Sequence, residues 1–237
     1  MSTTGLLLAV LLGLYLADCL VLLGPGQGLF RFEKRAIRLD FGLSSYVMRG
    51  RVPALLNPLT PWIPAFRTAP LAATPAGAPA PRLHPLRRGH YRILAAWPML
   101  LVQAALMFAA VPCFLVTARY RELAIAVACA FVAAGFLLFV GWRVAADLGL
   151  GRRQYAALAF QAAVCLPLSL NLLRKLALLA PAECTALDLL GRMDDERRRA
   201  TASELRFAIE AQSRGSTDPA EIARLEALQK TIDGRMG

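Results

Sequence analysis

Four long apolar runs, separated by Arg-rich connections, dominate the chain at residues 6–23, 93–118, 123–142 and 155–173. A helix needs about 20 apolar residues to cross the ~30 Å hydrocarbon layer, and lipid demands that backbone polar groups be satisfied within the segment. The pattern therefore predicts an all-α polytopic membrane protein with four transmembrane helices. The fourth is the most interrupted: Gln161, Pro167, Ser169 and Asn171 punctuate it, and Arg174 with Lys175 closes it. Residues 118–122 are a tight Arg-rich connection that makes the second and third runs an antiparallel pair. Their many alanines and Gly135 suit close helix packing in lipid, and Pro98 and Pro112 are expected to kink the second span.

Between the first two runs the pattern changes. Phe30 and Phe32 alternate with Arg31 and Glu33, while Ile37, Leu39 and Phe41 alternate with Arg38 and Asp40. Period-two spacing around the polar Glu33-Lys34-Arg35 predicts a short β-hairpin, with an interfacial basic helix as the competing reading. Pro53, Pro58, Pro61 and Pro64 then exclude a continuous helix. That stretch is expected to be compact, with Trp62 and Phe66 anchored at a membrane interface, or else an extended polyproline strip. Residues 68–92, rich in Pro, Ala and Arg, read as a semi-rigid or disordered linker.

Beyond Pro181 the chain becomes water-compatible. Asp194, Asp195 and Glu196 precede a run carrying Leu205, Ala208, Ile209 and Gln212 that stops near Gly215. Asp218-Pro219-Ala220-Glu221 supplies a helix start, and Ile222, Leu225, Leu228 and Ile232 supply its apolar stripe up to Gly234. A soluble helical hairpin is predicted. The segments are thus an anchor (1–23), a basic juxtamembrane stretch (24–67), a linker (68–92), a three-helix membrane bundle (93–180) and a helical tail (181–237).

Composition sharpens this reading. Hydrophobic residues make up 57% of the 237, against roughly 45–50% in soluble domains. A soluble core absorbs one such run as a buried helix, but not four. The formal charge of +11 is uneven: residues 24–92 carry eleven basic and two acidic side chains, whereas residues 183–237 carry nine basic and eleven acidic. Positive charge beside membrane spans points to anionic headgroups rather than nucleic acid, and no nucleic-acid fold signature accompanies it. The 24 Arg against three Lys suggest a GC-rich bacterial genome. Five cysteines without CxxC spacing support neither disulfides nor a metal site, and no cofactor motif is present.

Asp18 is the costly residue. An acid at mid-span opposes insertion by about 3 kcal/mol, which the surrounding Leu and Val outweigh at roughly −0.3 to −0.6 kcal/mol each. Residues 16–19 resemble a lipoprotein cleavage box with Asp18 where a small residue belongs, and no basic stretch precedes the run, so an uncleaved anchor is expected. Asp18 either reaches the interface near the helix end or joins Gln161 and Asn171 as intramembrane polar groups, and it has Arg143 as a possible ion-pair partner. Near the span ends, ten basic residues lie on the side of residues 24–92 and five on the other. That side is expected to be cytoplasmic.

No phosphate loop, zinc helix or nucleophile elbow appears, and the only histidines are His84 and His90, the latter held against protonation by neighbouring arginines. Catalysis is not expected. The function expected is that of a non-enzymatic scaffold or assembly protein of the bacterial inner membrane. Arg31, Lys34, Arg35 and Arg38 would bind anionic lipid or a partner, and the C-terminal helices would mediate association with another membrane protein or with a second copy. The alternative is a small transporter or channel subunit with a polar cavity near Asp18, Gln161 and Asn171.

Overall fold

The computed structural model describes residues 3–24, 27–33, 36–42, 51–70, 83–181, 184–215 and 218–236. In chain order the elements are α1 (Thr3–Asp18), β1 (Leu20–Leu23), β2 (Leu29–Phe32), β3 (Ile37–Asp40), β4 (Val52–Leu55), β5 (Phe66–Arg67), α2 (His84–Ala95) and α3 (Trp97–Ala105). A π-helical turn (Leu106–Ala110) follows, then α4 (Val111–Val116), α5 (Tyr120–Asp147), α6 (Arg152–Val164), α7 (Leu166–Ser169), α8 (Leu172–Leu179), α9 (Ala186–Leu190), α10 (Asp195–Gly215) and α11 (Pro219–Met236). They form two compact units interleaved along the chain. One comprises residues 1–19, 57–64 and 84–180; the other comprises residues 20–56, 65–83 and 181–237.

The first unit is helical. Two of its helices are long and apolar enough to cross a membrane: Trp97–Val116, at 20 residues, and α5, at 28. The expectation of four such helices is corrected to two. α1 ends after 16 residues, about 24 Å at 1.5 Å per residue, because the apolar run leaves the helix at Cys19 and continues as a strand. The fourth run is broken by extended backbone at Cys165 (φ −125°, ψ 94°), ahead of Pro167, into α6, α7 and α8.

Prolines set the local form of the second run. Pro98 lies in the first turn of α3, where its missing N–H has no helical acceptor to satisfy. Pro112 lies in the first turn of α4, immediately after the π turn. The connection to α5 turns at Ala118, the one described non-glycine residue with positive φ (53°). α5 then buries Ala126, Ala130, Ala133, Ala134, Leu137, Gly141 and Val144 at three- and four-residue intervals. Its opposite face leaves Phe131, Val132, Phe136, Phe139 and Trp142 exposed. Alanine and glycine make up most of the buried face, while five large apolar side chains stand on the outer one, an order suited to close helix packing in lipid.

The basic stretch expected to be a linker contributes α2. Pro85 falls in its first turn, where proline is tolerated, and Leu86, Gly89, His90 and Ile93 are buried. Gly89 admits no side chain without displacing Leu148, since a Cβ there would lie 2.6 Å from its Cδ2. Residues 71–82 lie outside the described residues.

The second unit holds two small sheets. β1 pairs antiparallel with β4 (Leu20 with Leu55, Leu23 with Val52), so part of the proline-rich stretch is a strand. The predicted hairpin is present: β2 and β3 pair antiparallel with Phe32 opposite Ile37 and Leu29 opposite Asp40, and β5 adds on the other side of β2. Period two divides this sheet into faces. Phe30, Leu39 and Phe66 share the apolar face; Phe30 packs on Phe32 and Phe66 at ring-centroid distances of 5.6 and 5.5 Å. Phe66, expected at a membrane interface, is fully buried instead. Gly42, at φ +73°, turns the chain where a Cβ would meet the Pro53 carbonyl at 2.8 Å.

The helical tail follows its predicted pattern. α9 starts with a capping box in which Thr185 N–H donates to Asp188 Oδ2 at 2.9 Å. α10 and α11 pack together and bury Leu205, Ala208, Ile209, Gln212, Leu225 and Ile232. Ala220 N–H donates to Asp218 Oδ1 at 3.0 Å, which makes Asp218 the cap of α11. The helix runs to Met236, past the predicted stop at Gly234.

Candidate functional site

The most concentrated chemistry in the first unit gathers where α1 ends beside α8. Asn171, Arg174 and Lys175 stand three and four residues apart and so share one side of a helical turn. Arg174 is 1% exposed. Its Nη1 donates to the Asn57 carbonyl at 2.8 Å, and its Nη2 donates to Asn171 Oδ1 at 2.8 Å and to Cys19 Sγ at 3.3 Å. Asn171 Nδ2 also donates to Cys19 Sγ, at 3.5 Å. Arg174 Nε has no hydrogen-bond partner. Beside this fork, Lys175 forms an ion pair with Asp18. Tyr15, one turn earlier on α1, donates its hydroxyl to the Pro58 carbonyl at 2.6 Å.

The cluster ties three remote segments together: the end of α1, the 57–58 turn and α8. Its geometry explains the local fold. An acid near a helix C-terminus is disfavoured by the helix dipole, and an unpaired acid among apolar residues is costly. Lys175 answers both. Asp18 and Lys175 carry opposite charges, so the group as a whole retains the positive charge of Arg174, which is matched by neutral acceptors rather than a carboxylate.

Sequence-derived sites fare unevenly. Asp18 and Asn171 come to adjoining parts of this cluster, linked through Cys19. Gln161 does not join them: it is exposed on α6. Asp18 pairs with Lys175 and not with Arg143, whose backbone carbonyl accepts from Arg92. The correction has a simple cause, since the break at Cys165 returns α8 to the end of α1. Cys19, expected to be a small buried hydrophobe, is buried but accepts two hydrogen bonds.

Two further sets of polar contacts brace the first unit. Gln103, within the Trp97–Val116 segment, donates from Nε2 to Ser169 Oγ at 3.1 Å, and Ser169 donates to the Leu166 carbonyl at 2.6 Å. At the end of α5, Asp147 receives Arg92 Nη1 at 2.5 Å and Arg88 Nε at 3.6 Å. Nearby on α2, burial first and the Arg87 charge second push the His90 imidazole below its ordinary value. The folded protein thus favours neutral His90, and the unfolded chain binds more protons as pH falls through the ordinary range near 6.5. Stability is therefore fullest above that range and declines below it. We expect the unfolding temperature to drop between about pH 7.5 and about pH 5.5, and to drop less in His90→Gln. Equal drops in both proteins would remove His90 as the cause.

In the second unit the polar face of the three-stranded sheet carries the predicted basic residues. Arg31 and Arg38 are direct cross-strand partners, and Arg67 lies on the same face two pairs along, opposite Leu29. Arg67 is held below its ordinary value by burial and by the charge of Arg51. Like charges directly opposite weaken a sheet. Asp40 is the acid on this face, and its Oδ1 accepts from Gly42 N–H at 2.8 Å. Lys34 and Arg35 lie outside the described residues.

No family model, curated protein or solved structure matches this chain. Among the described residues, no group of three or more His, Cys, Asp or Glu is placed to hold a metal ion.

Proposed function

We propose that the protein is a multi-pass membrane protein of scaffold or assembly type, held in the bilayer by Trp97–Val116 and α5, with a basic strand pair that engages anionic lipid headgroups. The observation that carries this reading is the composition of the two faces of α5, the buried one mostly alanine and glycine and the outer one exposing Phe131, Val132, Phe136, Phe139 and Trp142. Only 17% and 28% of the most apolar windows of the two helices are buried, whereas the core helix of a soluble protein is mostly buried. Arg87, Arg88 and Arg92 precede the first of these helices and Arg143, Arg152 and Arg153 adjoin or follow the end of the second, against Arg119 and Arg121 at the turn between them. The positive-inside rule puts the richer end in the cytoplasm, and the inner membrane of a bacterium suits the composition.

Val132→Arg combined with Phe136→Arg is the decisive test. Val132 is 75% exposed on the outward face of α5. In a bilayer its substitution opposes insertion by about 2.5–3.5 kcal/mol. Together with Phe136→Arg, one turn on along the same exposed face, the opposition is about twice that, more than the remaining apolar residues of α5 offset. The double variant is therefore expected to lose much of its membrane-fraction yield, as read by alkaline extraction and immunoblot. On a water-facing helix the same arginines cost nothing and leave soluble yield unchanged or higher. That second result would end the membrane reading.

The basic strand pair has its own test. Each basic residue near an anionic surface contributes about 1 kcal/mol, so Arg31→Gln with Arg38→Gln should weaken anionic-vesicle binding of residues 20–67, supplied in trans as a peptide, about 30-fold. Binding that is indifferent to anionic lipid content would count against the headgroup assignment.

A further inference from the structure

The first unit contains a cavity of about 770 Å³ walled by apolar side chains from α1, the 58–62 turn, the Trp97–Val116 segment, α5 and the α6–α7 junction. Leu12, Leu16, Phe108 and Phe131 line it and are also exposed at the protein surface, so its mouth is continuous with the apolar outer face. The backbone around it is irregular in three places. Met107 and Phe108 belong to the π turn, Pro112 begins α4, and Cys165 marks the break between α6 and α7. π turns and broken helices in membrane-spanning bundles recur where a ligand is accommodated.

The π turn has a chemical consequence at this wall. Val111 N–H goes to the Leu106 carbonyl, and the next residue, Pro112, has no N–H. Neither the α nor the π register therefore supplies a backbone donor to the Met107 carbonyl. The helix keeps this irregularity beside an open space rather than closing the space with regular packing.

We infer that the cavity is a binding slot for one hydrocarbon chain of a phospholipid, entered from the bilayer between α1 and α5. The inference rests on the membrane reading and goes beyond it. Continuity with the outer face selects the occupant: the mouth opens among the exposed Leu12, Leu16, Phe108 and Phe131, where hydrocarbon is the neighbouring phase in a bilayer. An extended acyl chain is slender enough, and cavities of 300–1,000 Å³ are the usual size for small ligands. The apolar walls match hydrocarbon, and the exposed rim places the mouth on the same surface that the proposed function gives to lipid.

Trp62 lines the slot and reports on it. In a protein with Trp97→Phe and Trp142→Phe, Trp62 becomes the sole tryptophan. It is reconstituted into phosphatidylcholine vesicles with bromine on the acyl chains, and fluorescence is compared with that of slot-filling variants Ala104→Phe and Val127→Phe, which project from different walls. The expected result is quenching several-fold stronger in the parent than in either variant, with all three proteins floating with the vesicles. Equal quenching in parent and variants means surface lipid only and overturns the slot. An unquenched Trp62 in a floating protein also overturns it, and covalent cross-linking into dimers would then identify a second copy as the occupant. A protein that stays at the bottom of the gradient defeats the membrane reading itself, and the slot with it. Should neither variant fold, native mass spectrometry of the parent in detergent decides: a retained phospholipid supports the slot, and its absence overturns it.

Discussion

Arg174→Ala is expected to lower stability by about 2–4 kcal/mol, as a buried acceptor left without its donor costs about 1–3 kcal/mol. That cost applies in full to Asn171 Oδ1 and in part to the carbonyl of the exposed Asn57. The Asn57 carbonyl and Asn171 Oδ1 both lose their 2.8 Å contacts, and Cys19 loses one of its two donors. Arg174→Met separates the contributions, because it restores most of the side-chain volume without the hydrogen bonds. Arg174→Lys retains charge, but a single ammonium lacks the planar fork that spans Asn57 and Asn171, so it should fall between wild type and alanine. Thermal unfolding in detergent at one protein concentration reads all three. A loss below about 1 kcal/mol in the alanine variant would mean that water reaches the cluster and replaces the lost donors.

That cluster also shows where sequence reasoning stops. Asp18 is recognisable from the chain alone, because an acid inside an apolar run has to find a partner or water. Its partner is not recognisable. Lys175 lies 157 positions away, next to Arg174, and two cations after an apolar run read naturally as the end of a span. The available signal was the spacing of Asn171, Arg174 and Lys175, which places three polar groups on one turn of a helix. It becomes decisive only once the break at Cys165 is known. Cys19 carried no signal, since a cysteine among leucines packs like a small hydrophobe until a donor is brought to it.

The hairpin and the tail were legible for the opposite reason: their information is local. Alternation from Phe30 to Phe32 and from Ile37 to Leu39 specifies faces, and a polar turn specifies where the strands reverse. Asp218-Pro219 marks the start of α11 through its own backbone contacts. By contrast, residues 6–23 are apolar apart from Asp18, and a run without period does not distinguish a helix from a strand. The chain takes helix up to Asp18 and strand from Leu20, because residues 52–55, outside the run, supply the pairing partner. α2 was hidden by Pro85, which belongs compositionally to the proline-rich stretch before it but structurally to the first turn of a helix.

The same division between local pattern and remote packing makes Phe30 the most consequential residue of the second unit. Its ring is fully buried, packs on Phe32 and Phe66, and stands in the central strand of its sheet, where Leu39 and Phe66 are its cross-strand neighbours. Phe30→Ala removes this shared contact and leaves a cavity bounded by two strands that depend on β2 for pairing. Truncations of this kind cost about 3–5 kcal/mol, and aromatic pairs add about 0.5–1.5 kcal/mol beyond area. We expect amide protection to fall across β2, β3 and β5 by hydrogen exchange, with Phe30→Leu losing much less because it keeps most of the volume. Phe32, which is only partly buried, should tolerate leucine better still. If Phe30→Ala left the exchange of Phe32 and Leu39 amides unchanged, the aromatic cluster would not be what holds the sheet together. Its stability would then have to come from strand pairing alone, which three short strands do not provide without an apolar face to bury.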